Sequence, residues 1–202
     1  PQSYTHHVLG RETFLAPMNW EEKQWPVINS DGTVSLEMNV KTLPQVKNPE
    51  KPAKYDFDNE KLGFEWNFIC NPNLKNYSTS ERKGHLRLKA STISIDEIDS
   101  PTFLGRRQQH IKFQATALLD FKNLKNGSEA GLTTYMSNNY HYDLFVKKKN
   151  NRNSISLVYN LGVLKHHEKE IPVSGNKLYL RMVGENNLYT YYYSTDDKTY
   201  HK

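Results

Sequence analysis

"KLYLRMVGENNLYTYYYSTD", residues 177–196, is the stretch that decides the fold. Every second residue in its first half is apolar, which is the spacing of a strand that buries one face: Leu178, Leu180 and Met182. The triplet ENN at 185–187 is a tight turn, and residues 188–196 form the returning strand. The stretch therefore predicts an antiparallel hairpin with one face in a hydrophobic core.

The same alternation of apolar and polar residues recurs upstream, in residues 33–40, 85–91, 110–121, 130–137, 140–148 and 154–165. Asn, Gly or Asp residues follow most of these segments and mark turns. The segment 154–165 contains one or two strands, and the sequence shows neither a long helix nor a repeat of fixed period. Several short strands separated by turns predict an all-β fold built as a two-sheet sandwich.

Charge and composition argue against two classes of partner. The 202 residues include 27 basic and 22 acidic side chains, a formal charge of +5, and the basic ones are spread along the chain. Only KKKNNR at 147–152 forms a tight run, and its place between two apolar stretches predicts a solvated hairpin turn rather than a phosphate site. No apolar run approaches the roughly 18 residues of a membrane span. We therefore predict no nucleic-acid partner and no membrane partner.

One compositional boundary divides the chain. Residues 41–61 contain three prolines, several lysines and no hydrophobic period, which is typical of a linker or a surface loop. We therefore expect two regions, residues 1–44 and residues 45–202.

No catalytic constellation can be assembled from this sequence. The carboxylates are scattered over turns and strand ends, and no pair stands out as the two facing acids of a glycosidase. The adjacent histidines at 6–7 and at 166–167 point to different sides of a strand, so we predict no metal site. The single cysteine, Cys70, has apolar neighbours, which predict a small buried side chain rather than a nucleophile.

Two surfaces have alternative interpretations. Tyr189, Tyr191 and Tyr193 share one side of the last strand, and Tyr192 lies on the other side. One of these sides packs in the core. The other side either packs on a neighbouring domain or stacks on sugar rings. The polar run 100–110 is either solvated or pairs with polar groups across an interface. The candidates for a domain interface or a sugar contact are Arg106, Arg107, Gln108, His110, Tyr140 and Tyr142.

Six blocks of this sequence resemble the C-terminal half of glycoside hydrolase family 43 enzymes, the β-xylosidases and α-L-arabinofuranosidases that carry an added β-sandwich. They follow the same order over nearly the whole chain: LGRETFLAPMNWEEKQWPVIN (9–29), LGFEWNFICNP (62–72), ERKGHLRLKAS (81–91), PTFLGRRQQH (101–110), EAGLTTYMSNNYHYDLFV (129–146) and LYLRMVGENNLYTYYYSTD (178–196). The resemblance implies a concanavalin A-like, jelly-roll β-sandwich in residues 45–202, preceded in residues 1–44 by the closing segment of a five-bladed β-propeller. It also implies further strands after Lys202.

The resemblance places the catalytic site on the propeller. Arg11, in the segment similar to LGRET, would reach the pocket and hydrogen-bond sugar hydroxyls, a role that suits the fixed fork of guanidinium donors. The alternative is a surface ion pair between Arg11 and Glu12. The family's Asp general base, orienting Asp and Glu general acid would precede residue 1. We therefore expect no catalytic residue in this chain and no activity from the chain alone.

The implied parent is an inverting hydrolase that removes xylose or arabinose from xylan-derived oligosaccharides, with the sandwich shaping its pocket mouth. Its partners would be the oligosaccharide and the propeller of the same protein, and a homo-oligomer stays open. No cofactor is expected, although a structural or pocket cation such as calcium is compatible with the parent. A periplasmic or secreted location is slightly favoured over the cytoplasm. The alternatives are a stand-alone carbohydrate-binding module and a structural interaction domain with no sugar role.

Overall fold

The computed structural model describes residues 9–10, 13–29, 32–35, 37–40, 42, 44, 46–47, 54–58 and 61–202. The described strands are β1 (Met18–Asn19), β2 (Val27–Ile28), β3 (Trp66–Asn67), β4 (Tyr77–Ser78), β5 (Arg87–Leu88), β6 (Gly105–Arg106), β7 (Phe113–Asp120), β8 (Glu129–Ser137), β9 (Tyr140–Lys149), β10 (Arg152–Leu161), β11 (Leu164–His167), β12 (Ile171–Pro172), β13 (Lys177–Glu185) and β14 (Leu188–Ser194). A 3-10 turn at Leu74–Asn76 accompanies them. No helix in these ranges is long and apolar enough to cross a membrane.

Two antiparallel sheets carry the sandwich. The larger sheet has the order β11-β10-β9-β8, with β12 also paired to β10, and the smaller has the order β14-β13-β7. In the larger sheet Leu144 lies opposite Leu157 on β10 and Leu132 on β8. In the smaller, Leu180 lies opposite Tyr193 on β14 and Ala117 on β7. The predicted all-β sandwich is confirmed.

The hydrophobic core lies between these sheets. The smaller sheet contributes the alternating residues of the opening stretch, which are 9 % exposed or less: Leu178, Leu180, Met182 and Tyr191. The larger sheet supplies the side chains packed against them: Leu144, Val146 and Ile155. Because successive strand residues face opposite sides, the period-2 pattern alone places these side chains in one layer.

Tight turns form at the two asparagine pairs where the sequence predicts them. Asn150 and Asn151, in the KKKNNR run, have φ angles of 51° and 61°, and Asn186 and Asn187 repeat those two values. Two consecutive positive φ angles make a turn whose twist matches antiparallel strands, and Asn tolerates that conformation better than most residues. Both predicted hairpin turns are therefore confirmed.

Two predicted strands are wrong in part. The described residues of 33–40, which omit Leu36, form no strand, and Val34 is 49 % exposed. In 85–91 only Arg87–Leu88 is a strand, and Leu88 is 46 % exposed. An alternating pattern becomes a buried strand only where a neighbouring strand and a facing layer cover it. The described residues of 33–40 pair with no strand, and β5 pairs only with the two-residue strand β4.

The chain divides into two compact units, Pro1–Tyr55 and Asp56–Lys202. In the first unit, β1 and β2 pair antiparallel, with Met18 opposite Ile28. The second unit contains the sandwich and the shorter strand pairs β3–β6 and β4–β5.

The opening stretch makes a direct stability prediction. Leu180 has no exposed surface, so Leu180→Ala should cost about 2–5 kcal/mol of unfolding free energy through lost burial and a cavity. Leu188 begins the next strand but is 70 % exposed, so Leu188→Ala should change that free energy by less than about 0.5 kcal/mol. Urea denaturation of both variants checks this, and equal losses would contradict the placement of the core.

Candidate functional site

The structure brings together two of the predicted site residues, Gln108 and Tyr142. The hydroxyl of Tyr189 donates to Oε1 of Gln108 at 2.8 Å, and the Tyr189 ring lies 6.2 Å from the Tyr142 ring. Gln108 also donates through Nε2 to the backbone carbonyl of His110 at 2.8 Å. The polar run is thereby attached to the aromatic residues at one end of the sandwich. Arg11 lies outside the described residues, so its predicted role is not tested.

A row of aromatic rings crosses both sheets at this end. His166 stacks on Tyr159 at 5.8 Å, Tyr159 meets Tyr142 edge-on at 5.6 Å, and Tyr189 continues from Tyr142 to Phe113 at 6.2 Å. Such offset and edge-on ring pairs add about 0.5–1.5 kcal/mol each beyond area burial. The row closes the open end of the core and holds the two sheets together there.

Tyr191 lies in the core beneath this end of the sandwich. Its hydroxyl hydrogen-bonds Oγ1 of Thr134 on β8, and the side chain is 5 % exposed. Burial raises the pKa of the Tyr191 phenol, against the hydrogen bond from Thr134. The side of β14 that carries Tyr189, Tyr191 and Tyr193 is therefore the core side, and Tyr192 is the strand tyrosine on the other side.

The remaining predicted site residues lie at or near the surface. Arg106 and Arg107 are exposed, with Arg106 paired to Trp66 in the β3–β6 ladder. Tyr140 begins β9, is 49 % exposed, and directs its ring toward Gly162, where an added Cβ would meet the hydroxyl at 3.2 Å. Cys70, predicted to be buried, is exposed instead, because it lies in a bend with a φ angle of 50° and not in a strand.

The end that carries Tyr140 has an apolar rim. Large apolar side chains around its hairpins and loops are 43–101 % exposed: Ile98, Ile111, Met136, Leu161, Val163, Leu164 and Leu188. Met136 is part of this rim because a β-bulge between Tyr135 and Ser137 leaves it without a partner on β9. The opposite end, around residues 121–128 and 148–152, is rich in Lys and Asn. Exposed apolar side chains concentrated at one end are typical of an interaction surface.

A buried polar network lies beneath the rim, and sequence reasoning did not identify it. Nδ1 of His141 is 2.7 Å from Oδ2 of Asp143, and Nε2 is 3.0 Å from Oδ1 of Asp96. The His141 side chain is 1 % exposed. Asn160 donates through Nδ2 to Asp96 at 2.7 Å, and Lys165 donates to the other oxygen at 2.7 Å. The sequence does contain a signal for this network in HYD at 141–143. His141 and Asp143 lie on the face of the strand opposite Tyr142, so their side chains are adjacent on the same face.

Opposite effects act on the two carboxyls of this network. Burial raises the pKa of Asp143, and the facing His141 ring offsets this only in part. Burial also acts to raise the pKa of Asp96, but the hydrogen bond and charge of Lys165 outweigh it, so the pKa lies below its ordinary value. Both carboxyls are engaged by His141, so the network ties the loop of Asp96 to β9.

No group of three or more His, Cys, Asp or Glu residues in the described ranges is placed to hold a metal ion. The fold itself defines the class, a two-sheet, jelly-roll β-sandwich.

The chain belongs to the family of β-xylosidase C-terminal concanavalin A-like domains (GH43_C2), which matches residues 54–202. It is 36 % identical over 190 residues to the non-reducing end α-L-arabinofuranosidase BoGH43B of Bacteroides ovatus, covering 93 % of this chain and 35 % of that protein. It is 29 % identical over 194 residues to a xylan 1,3-β-xylosidase of a Vibrio species, covering 94 % of this chain and 36 % of that protein.

Solved structures agree with this membership. The crystal structure of the GH43 BlXynB protein from Bacillus licheniformis matches all of this chain and 39 % of its own length, with a TM-score of 0.88 and 30 % identity. The concanavalin A-like sandwich and the family resemblance are thus confirmed. The chain spans about a third of the length of the curated relatives it matches.

The buried network should stabilise the fold strongly. Removing the ring in His141→Ala leaves the largely buried Asp143 carboxylate without the imidazole that pairs with it, and should cost about 3 kcal/mol of unfolding free energy. His167→Ala, at an exposed position of the same sheet, should cost less than about 0.5 kcal/mol. Chemical denaturation of the two variants measures the difference, and similar costs would show that the network adds nothing.

The depressed pKa of Asp96 predicts a pH dependence with a definite sign. Ionised Asp96 stabilises the folded chain above its ordinary value of 3.8, and this contribution disappears as the pH falls through the lower folded value. Asp96→Asn should therefore be less stable than the wild type at pH 7, and the gap should narrow only below about pH 4. Urea denaturation between pH 7 and pH 2.5 tests this, with exposed Asp99→Asn as the control. A gap that stays constant to pH 2.5 would refute the assignment.

Proposed function

We propose that this chain is the C-terminal part of a glycoside hydrolase that removes xylose or arabinose from xylan-derived oligosaccharides with inversion. The family membership supports this, as do the names of the relatives, an arabinofuranosidase and a xylosidase. The sandwich supports and shapes the mouth of a pocket that another part of the protein contains.

Within this proposal, residues 1–44 close the catalytic propeller and residues 45–202 form the accessory sandwich. The break between compact units after Tyr55 and the family match from residue 54 both fall inside the Pro-rich segment 41–61. Arg11 belongs to the propeller segment, where its guanidinium would hold two sugar oxygens at once.

The observation that carries the supporting role is the difference between the two ends of the sandwich. The Tyr140 end has an apolar rim, and the polar run containing Gln108 and His110 is hydrogen-bonded to it through Tyr189. Exposed apolar side chains gathered at one end of a domain mark an interaction surface. We infer that this end packs on the catalytic domain.

A stand-alone carbohydrate-binding module is the less favoured function. The tyrosine side of β14 that could have formed a stacking platform instead faces the core, where Tyr191 is 5 % exposed. The relatives also contain this domain as about a third of a longer chain.

Two measurements test the proposed function. Hydrolysis of aryl β-xyloside and aryl α-L-arabinofuranoside is expected from the full-length protein and not from the 202-residue chain. Cleavage by the chain alone would overturn the placement of the catalytic acids, and inactivity of the full-length protein on both substrates would overturn the substrate class.

The packing surface makes its own prediction. Val163→Asp and Leu164→Asp should weaken binding of the chain to the separately expressed catalytic domain at least about tenfold, because a carboxylate would be desolvated in the interface. Leu118→Asp, on the outer face of β7 at 43 % exposure, is the matched control. Isothermal titration calorimetry measures the affinities. Equal losses at Leu118 and Val163 would remove the Tyr140 end from the interface.

A further inference from the structure

The end of the sandwich opposite the apolar rim is basic. Backbone hydrogen bonds from Phe121 to Asn176 and from Gly127 to Lys148 join the loops and strand ends there, and these segments carry six cations: Lys122, Lys125, Lys148, Lys149, Arg152 and Lys177. Lys122, Lys125, Lys148 and Arg152 form no ion pair with any described residue. We call this surface, with its six cations, the basic end. The acids beside these cations, Asp120 and Glu170, each form an ion pair with a cation outside this set, Arg82 and Lys147. The remaining unpaired cations attract anionic partners.

Hydrogen bonds between the loops make the basic end a rigid surface. Asn126 donates through Nδ2 to Oδ1 of Asn151 at 3.0 Å, and its own Oδ1 accepts from the backbone N–H of Asn151 at 2.9 Å. The N–H of Gly127 donates to the carbonyl of Lys148 at 2.8 Å. The turn at Asn150 and Asn151 is therefore held against residues 125–128, which fixes the backbone from which Lys149 and Arg152 project.

A groove of about 510 Å³ opens beside this turn, lined by Lys149, Asn150, Arg152, Asn153, Ser154, Glu170 and Pro172. The groove is open to solvent along one side. Its lining combines a guanidinium fork with amide and hydroxyl groups, which suits a ring that carries one carboxylate and several hydroxyls.

The single acidic residue of the groove lining is already neutralised. Glu170 forms an ion pair with Lys147 and accepts a hydrogen bond from Oγ of Ser154 at 3.2 Å. The hydrogen bond from Lys147 lowers the pKa of Glu170, so this carboxylate stays ionised and paired. The charges of Lys149 and Arg152 therefore remain available to an anion.

We propose that the basic end binds carboxylate-bearing sugar residues, uronic acids, on the glycan that the parent enzyme degrades. This inference rests on the proposed function for its glycan, and it assigns the chain a preference for acidic over neutral polymer. Arg152 would hold the carboxylate through its fork, with Lys149 beside it. Because the apolar rim lies at the opposite end, the chain can contact the catalytic domain and the acidic glycan at the same time.

The test compares two probes of equal backbone length on the 202-residue chain. Calorimetric titration at 50 mM salt with xylotriose and with xylotriose bearing one glucuronic acid should give binding to the acidic probe only. The variant Lys149→Gln/Arg152→Gln should weaken that binding at least about tenfold, since charge-assisted hydrogen bonds are lost. Lys75→Gln/Lys198→Gln removes the same charge from exposed positions elsewhere and should bind as the wild type does. Circular dichroism and thermal unfolding verify that both variants are folded.

Four results would overturn the inference. These are equal binding of the neutral and acidic probes, absence of binding to either, equal weakening by both double variants, and equally tight binding of inorganic polyphosphate. None of them bears on the proposed function, because hydrolysis by the full-length protein is measured separately. Conversely, a full-length protein that is inactive on both aryl glycosides would refute the proposed function and leave binding of the acidic probe to be explained on its own.

Discussion

The structure depends on the contact between two apolar strand faces. On β13, the side chains of Leu178, Leu180 and Met182 pack against Leu144 and its neighbours in the larger sheet. Leu178 and Leu180 have no exposed surface. The other parts of the sandwich are positioned by this layer. The tyrosines of β14 close it from one side, and the network around His141 covers the outer face of the larger sheet. With a single cysteine and no disulfide, burial of apolar area is the main source of stability.

The two ends of this layer have different chemistry. At one end the hairpins carry exposed apolar side chains above a row of aromatic rings. At the other they carry lysines and asparagines held together by side-chain hydrogen bonds. A free-standing domain gains nothing from exposing apolar residues such as Val163 and Leu164 at one end only. The asymmetry is expected of a domain that packs on a larger partner and keeps its other end in solvent.

Much of the fold could be predicted because its strands alternate strictly and its turns contain Asn-Asn pairs. Strand prediction failed at 33–40 and in part at 85–91, where alternation is not accompanied by a covering layer. The candidate site was predicted less completely. Gln108 and Tyr142 do come together, but through Tyr189, and the His141 network was missed because Asp96 lies 45 positions away in sequence. Cys70 was misplaced because a bend with positive φ exposes it.

The sequence by itself determined which faces of β9 and β13 are buried and where the hairpins turn, since both follow from local periodicity and from residues that tolerate positive φ angles. It also determined the family, through blocks of residues that keep their order. Only the tertiary structure decided that the tyrosine side of β14 is a core face, that Asp96 reaches His141, and that apolar and basic side chains separate to opposite ends. Those outcomes depend on which distant segments meet when the sheets pack, and no local pattern encodes such contacts.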